Sequence, residues 1–218
     1  MAFPTNSHAT GAAARADFAN RCTDQGLALN ASFSSDDALF SVAANLFSDV
    51  PEGCNVGYEL PTGPAAGITG GTGTICKTSI TKEGGIIVTR FLIDLTGLSA
   101  AAAGDIIGAG TAAAYIGKIT AAANGTIIGG RMICFEAPAG GDADIDLYAA
   151  TEATGKLDDA ITGLAETQAI NGGTQTLGAA SVLIADSIAA NKYLYLVSVG
   201  ATAAAYTAGR LFIELYGV

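Results

Sequence analysis

From about residue 75 to the end of the chain, apolar and polar positions alternate with a period of two. In a strand, successive side chains point to opposite faces, so this period predicts β-structure. ICKTSIT (Ile75 to Thr81) and IIVTRFLIDL (Ile86 to Leu95) flank the tight-turn signal KEGG and predict a β-hairpin. Further strands are predicted over Ala113 to Thr120, Thr126 to Phe135, Asp144 to Ala149, Ala180 to Ala185, Tyr193 to Val199 and Arg210 to Tyr216. NG at 124, PAGG at 138 and NGG at 171 supply turns between them. Many short strands with Gly-rich turns predict a mainly β chain, a jelly-roll-like β-sandwich over 75–218.

The first third is patterned differently. In SSDDALFSVAANLF (Ser34 to Phe47), Leu39, Val42, Ala43 and Leu46 recur at helical spacing. Ser35 can cap that helix, Asp36 and Asp37 suit its positive end, and Pro51 and Gly53 stop it. TGAAARADFAN (Thr10 to Asn20) offers a short helix whose one large apolar anchor is Phe18. A helix that short is marginal in water and orders against something else. Residues 1–25 therefore predict an N-terminal arm, with Phe3 and Phe18 as its contact candidates. Residues 26–74 predict a helical and loop lead-in that closes with the Gly/Pro/Thr linker PTGPAAGITGGTGT (Pro61 to Thr74).

Two octets repeat one pattern: RFLIDLTG (Arg90 to Gly97) and RLFIELYG (Arg210 to Gly217). Each reads Arg, two apolar residues, Ile, an acid, Leu, one variable residue and Gly. On a strand, Arg90, Leu92 and Asp94 share one face of the first octet; Arg210, Phe212 and Glu214 share one face of the second. Antiparallel pairing that sets Leu92 opposite Phe212 also sets Arg90 opposite Glu214 and Asp94 opposite Arg210. Such cross-strand pairs contribute roughly 0.2–1 kcal/mol each and resist slippage of the register. The competing reading is that the octets only share strand composition and lie apart.

Composition narrows the surface and the partners. Charged residues make up 14% and apolar residues 50%, with 29 glycines, so small neutral side chains cover much of the exterior. Soluble monomers ordinarily carry more charge, which points to a subunit partly covered by neighbours, or to a secreted or virion protein. The net charge of −10 and ten scattered bases exclude a phosphate-backbone partner. LSAAAAGDIIGAGTAAAYIG (Leu98 to Gly117) is apolar enough to suggest a membrane span, yet it is Ala, Gly and Thr around Asp105 and ends at Lys118, so it predicts loop and short strand. Cys22, Cys54, Cys76 and Cys134 have no metal-ligand spacing, and MAFPTNSHATGAAARADFANRC has no apolar signal core, so reduced thiols from synthesis in a cytoplasm are expected.

Candidate chemistry is thin. His8 is the one histidine and falls in the arm, which removes the usual nucleophile–histidine pairs. GTGTICKT (Gly71 to Thr78) misses the phosphate-loop pattern by one residue, with Cys76 in place of the last Gly, and runs into a strand rather than a helix. Asp142, Asp144 and Asp146 match the first ligands of a calcium loop, but Leu147 stands where Gly is required and Glu152 comes one place early. Asp158 with Asp159, or Asp36 with Asp37, offers the carboxylate pair of a glycosidase, without any Trp for a sugar to stack on. The reading is a non-enzyme with no cofactor and no nucleic-acid or membrane partner.

GGIIVTRFLIDLTGL, YIGKITAAANGTIIGGRMICFEAPAGGDADIDLYAATEATG, YLYLVS and YTAGRLFIELYGV, in that order, resemble structural proteins of marine tailed bacteriophages, cyanophages in particular. The likeness spans about 75–218. It implies a virion component, a head decoration (cement) protein made in the host cytoplasm. Such a protein sits as a homotrimer on the outer capsid surface and clamps the major capsid protein. The alternative from another class is a host-recognition or carbohydrate-binding module on the virion, with Tyr58, Tyr115, Tyr148 and Tyr206 as candidate contacts.

Overall fold

In a computed structural model of the chain, the described residues are 63–200 and 202–218. They are mainly β, arranged in antiparallel sheets. The predicted arm, the Ser34–Phe47 helix, His8, Phe3, Phe18, Tyr58, Cys22, Cys54, Asp36 and Asp37 lie outside the described residues.

A single helical turn, α1 (Ala66–Thr69), precedes the strands. It falls within the Gly/Pro/Thr stretch that predicts a linker, and the reason it is ordered is Ile68, which is fully buried. The strands are β1 (Ile75–Glu83), β2 (Ile86–Asp94), β3 (Ser99–Ala100) and β4 (Gly117–Ile119); then, after a second turn α2 (Ala121–Asn124), β5 (Ile127–Ala139), β6 (Ile145–Ala150), β7 (Glu166–Ile170), β8 (Ala180–Val182), β9 (Lys192–Ser198), β10 (Ala204–Ala205) and β11 (Ala208–Gly217). One sheet runs β1-β2-β11-β5-β8, a second runs β4-β9-β6-β7, and β10 pairs with β3.

The larger sheet turns Phe91 and Ile93 of β2, Leu211, Ile213 and Leu215 of β11, and Met132 and Cys134 of β5 inward, all with no solvent exposure. The smaller sheet answers with Ile145, Leu147 and Ala149 of β6 and Leu194 and Leu196 of β9. These side chains belong to one hydrophobic core. Burying a large aliphatic or aromatic side chain contributes roughly 1.5–3 kcal/mol relative to exposure, so this shared layer carries most of the fold's stability.

Local chemistry holds the corners. The Gly84–Gly85 turn closes the β1–β2 hairpin, with Glu83 opposite Ile86. Thr120 caps α2, its Oγ1 accepting from the Ala123 N–H at 3.1 Å. The Asn124 amide then donates to the buried Thr89 Oγ1 at 2.8 Å, tying α2 to β2. β8 accompanies β5 only over Arg131–Ile133, so Pro138, which lacks an N–H, falls beyond it.

The apolar run Leu98–Gly117 is a loop around the short β3 rather than a helix. The Ile107 and Ile116 N–H groups donate to the Leu196 and Leu194 carbonyls at 2.9 and 2.8 Å, so this segment flanks β9. Its Ile106, Ile107, Ala114 and Ile116 are buried in the core, which accounts for its hydropathy. No helix among the described residues is long and apolar enough to cross a membrane.

Both octets end in glycine, for different reasons. Gly97 has φ +82, and a Cβ there would stand 2.5 Å from both the N and the O of Thr72. Gly217 is extended, and there a Cβ would collide with the Asn124 carbonyl oxygen. Gly97→Ala is expected to lower stability by about 2 kcal/mol, from left-handed strain together with the backbone collision. Denaturant unfolding monitored by circular dichroism measures it; a loss below 0.5 kcal/mol, on the order of a neutral surface change, would show that the Thr72 loop yields freely.

Candidate functional site

The two octets form neighbouring central strands. β11 pairs antiparallel with β2, with Phe212 opposite Leu92, Glu214 opposite Arg90 and Arg210 opposite Asp94. β5 flanks β11 on the other side and brings Arg131 opposite Glu214, Ile133 opposite Phe212 and Glu136 opposite Arg210. The inner-facing residues of both octets are apolar and buried, so the charged ones gather on the outer face of the larger sheet.

Two ion-paired clusters result. In the first, Arg90 donates from Nε to Glu214 at 2.9 Å and from Nη2 to Glu83 at 2.9 Å, and from Nη1 to the Thr81 hydroxyl at 2.8 Å. Arg131 donates to the other Glu214 oxygen from Nε and Nη2 at 2.8 and 2.6 Å, and the Tyr216 hydroxyl adds a bond at 3.1 Å. Burial by itself pushes the Glu214 carboxyl up, but the hydrogen bonds from Arg131, Arg90 and Tyr216 outweigh it and hold the group below its ordinary value. In the second cluster, Arg210 Nε lies 3.0 Å from Asp94 and 3.4 Å from Glu136. Asp94 is likewise held below its ordinary value: burial opposes this, while the Thr96 hydroxyl and N–H and the Arg210 guanidinium prevail.

Between the clusters runs an apolar row. Leu92, Phe212 and Ile133 lie in register across three strands. Phe135 stacks on Phe212 with ring centroids 5.2 Å apart and planes 10° off parallel. Phe135 is half-exposed.

The remaining candidates are placed separately. Asp142 accepts from the Asp144 N–H at 2.8 Å, a local turn. Asp146 is buried and accepts from the Gly172 N–H at 2.8 Å and from the Gln168 amide. Burial raises the Asp144 carboxyl, and the neighbouring Asp146 and Asp142 charges raise it further. Among the described residues, no three His, Cys, Asp or Glu side chains come together as a metal would need. Asp159 accepts from the Lys156 N–H at 3.1 Å, while Asp158 takes φ +62 in the same loop.

Lys77 of the phosphate-loop lookalike lies on β1 opposite Leu92, in an extended ladder rather than at a helix start. Cys76 and Cys134 are free thiols, and burial pushes Cys76 up to about 12, which keeps it protonated and unreactive. Tyr206 is buried and donates to the Asp142 carbonyl at 2.9 Å. Tyr115 packs 4.9 Å from Tyr193 and edge-on to the buried Tyr195, and Lys118 Nζ lies 5.2 Å from the Tyr193 ring centre. Tyr148 is partly buried on β6 opposite Tyr195.

Sequence reasoning missed Arg131, Glu136, Glu83 and Phe135 as members of the outer face. Arg131, Ile133 and Phe135 do alternate, which is a readable strand signal. Glu136 follows at odd spacing and reaches Arg210 only because β5 shifts register there. Compared with family models, with curated proteins and with solved structures, the chain matches none.

Proposed function

We propose that the chain is a virion structural protein: a capsid decoration protein that binds the outer shell as an oligomer and stabilises it, built as a jelly roll. The strand order supports the jelly-roll reading. Leaving aside the outermost β1 and the two-residue β3 and β10, eight strands remain, and their pairings nest: β2 with β11, β4 with β9, β5 with β8, and β6 with β7. That is one long antiparallel hairpin, folded over so that alternate pairs fall in alternate sheets.

The observation that carries the structural role is where the buried acids spend their oxygens. Asp94, Asp146 and Glu214 all accept hydrogen bonds from ladder, turn or cross-strand partners. Acids that serve catalysis are instead poised for proton transfer, with values moved toward the working pH. Here Asp94 and Glu214 are moved away from it.

Many copies, each covering shell surface, stabilise a capsid by mass action. Phe3 and Phe18 of the N-terminal arm are the proposed grip on the major capsid protein, and the Ala/Gly/Thr-rich exterior suits close contact with it. Carbohydrate recognition draws on less: of the tyrosines proposed for it, Tyr206 has its hydroxyl bonded inside the fold.

The test is cosedimentation of the purified full-length chain with undecorated, expanded heads of marine tailed bacteriophages. Saturable binding and a higher temperature of DNA release are expected, with both lost on deleting residues 1–25. Failure to bind any such head overturns the role. Undiminished binding by the truncated chain overturns the arm as the grip.

A further inference from the structure

The outer face of the larger sheet combines three properties. Its apolar row is solvent-facing: Leu92 is 37% exposed and Phe135 50%, while Val182, opposite Arg131 on β8, is 76% exposed. The seven charges of its two clusters are already paired within the chain, so covering the clusters leaves each of those ions with its partner, the condition under which burying ions is tolerated. Its charge is balanced: the two clusters and Lys77 together hold four bases and four acids.

Elsewhere among the described residues acids predominate. The remaining described residues carry nine acids against four bases, and the whole chain is at −10. Two copies approaching through any other average surface bring like charges together. Through this face they bring mixed signs together around an apolar strip, and the stacked Phe135–Phe212 pair supplies a rigid aromatic anchor of the kind interfaces concentrate. All three arginines among the described residues lie here, and arginine is the cation most often retained in interface cores.

We infer that this face is a self-association surface whose occupant is a second copy of the chain. Capsid binding is no part of the argument, and the association is measured on the purified protein with no shell present. The octets then have a second role: the register that fixes the fold also neutralises the contact surface.

The experiment compares full-length wild type with Phe135→Arg by light scattering coupled to size exclusion across a concentration series. Val199→Arg, a charge placed on an exposed apolar residue after β9, serves as the control. Wild type and control are expected above the one-chain mass of 21.6 kDa, and Phe135→Arg to weaken association by about a hundredfold, as loss of a central anchor does. Circular dichroism establishes that the variant is folded. If it is not, a photo-crosslinking phenylalanine analogue at position 135 decides. Cross-links to a second chain near Phe212 support the inference. A one-chain mass for wild type, an oligomer that Phe135→Arg leaves intact, or cross-links only to residues 1–62 of the same chain overturns it.

Discussion

Glu214→Ala is expected to lower the unfolding free energy by about 2–3 kcal/mol, while Arg131→Ala, which removes an exposed partner of the same carboxylate, costs far less. The asymmetry comes from burial. The Glu214 side chain is 8% exposed and accepts from Arg90, Arg131 and Tyr216, so its loss strips Arg131 of its anion and leaves Arg90 only the exposed Glu83. The Arg131 side chain is 49% exposed, and water replaces it. Guanidinium unfolding of the two variants measures the difference; equal costs would mean that Glu214 is solvated like a surface acid. Acid gives a second readout. The folded values of Glu214 and Asp94 are depressed, so their stabilisation is fully present above their ordinary values of 4.5 and 3.8 and is lost as pH falls through the lower folded values. Wild type should lose stability below about pH 4.5, and Glu214→Ala should show a shallower acid limb.

Phe91→Ala is expected to cost about 4 kcal/mol, the largest effect of a single substitution proposed for this chain. Phe91 is fully buried on β2, opposite Thr78 on β1 and Ile213 on β11, and faces the core that the two sheets share. Truncation removes the transfer free energy of the ring and leaves a cavity that strands pinned on both sides cannot close. In a domain of this size the melting temperature should fall by about 10 °C or more. A fall of 2 °C or less would show that the sheets are not packed together at this point. The neighbouring Leu92, on the opposite face, should tolerate Ala at well under half that cost, which makes the pair an internal comparison of the two faces of one strand.

How much was legible can be judged element by element. The β1–β2 hairpin, β5, β6, β9 and β11 have clear alternation, and their positions follow from it. The strand β7 (Glu166–Ile170, ETQAI) did not announce itself, because only its last two residues are buried and a five-residue edge strand carries little periodic signal. The predicted strand from Ala113 shrinks to β4, since Ala113 makes only an isolated bridge while Ala114 and Ile116 are buried without entering a strand. In the outer face, Arg90, Asp94, Arg210 and Glu214 were readable from the twin octets. Glu136 was not, because its contact depends on a register shift in β5.

The amino-acid order by itself determined the strand class and the hairpin turn, and it specified the register the twin octets take once they pair; that they pair was decided by the tertiary structure. Those features rest on side-chain period and on charges that match in a single alignment, and both are local or pairwise properties of the chain. Only the tertiary structure decided that β5 lies against β11, that Arg131 and Phe135 therefore join the outer face, and that Gly97 and Gly217 are required for unrelated reasons. Strand neighbours distant in sequence, register shifts and backbone collisions depend on where the whole chain goes, and no window of residues contains that information.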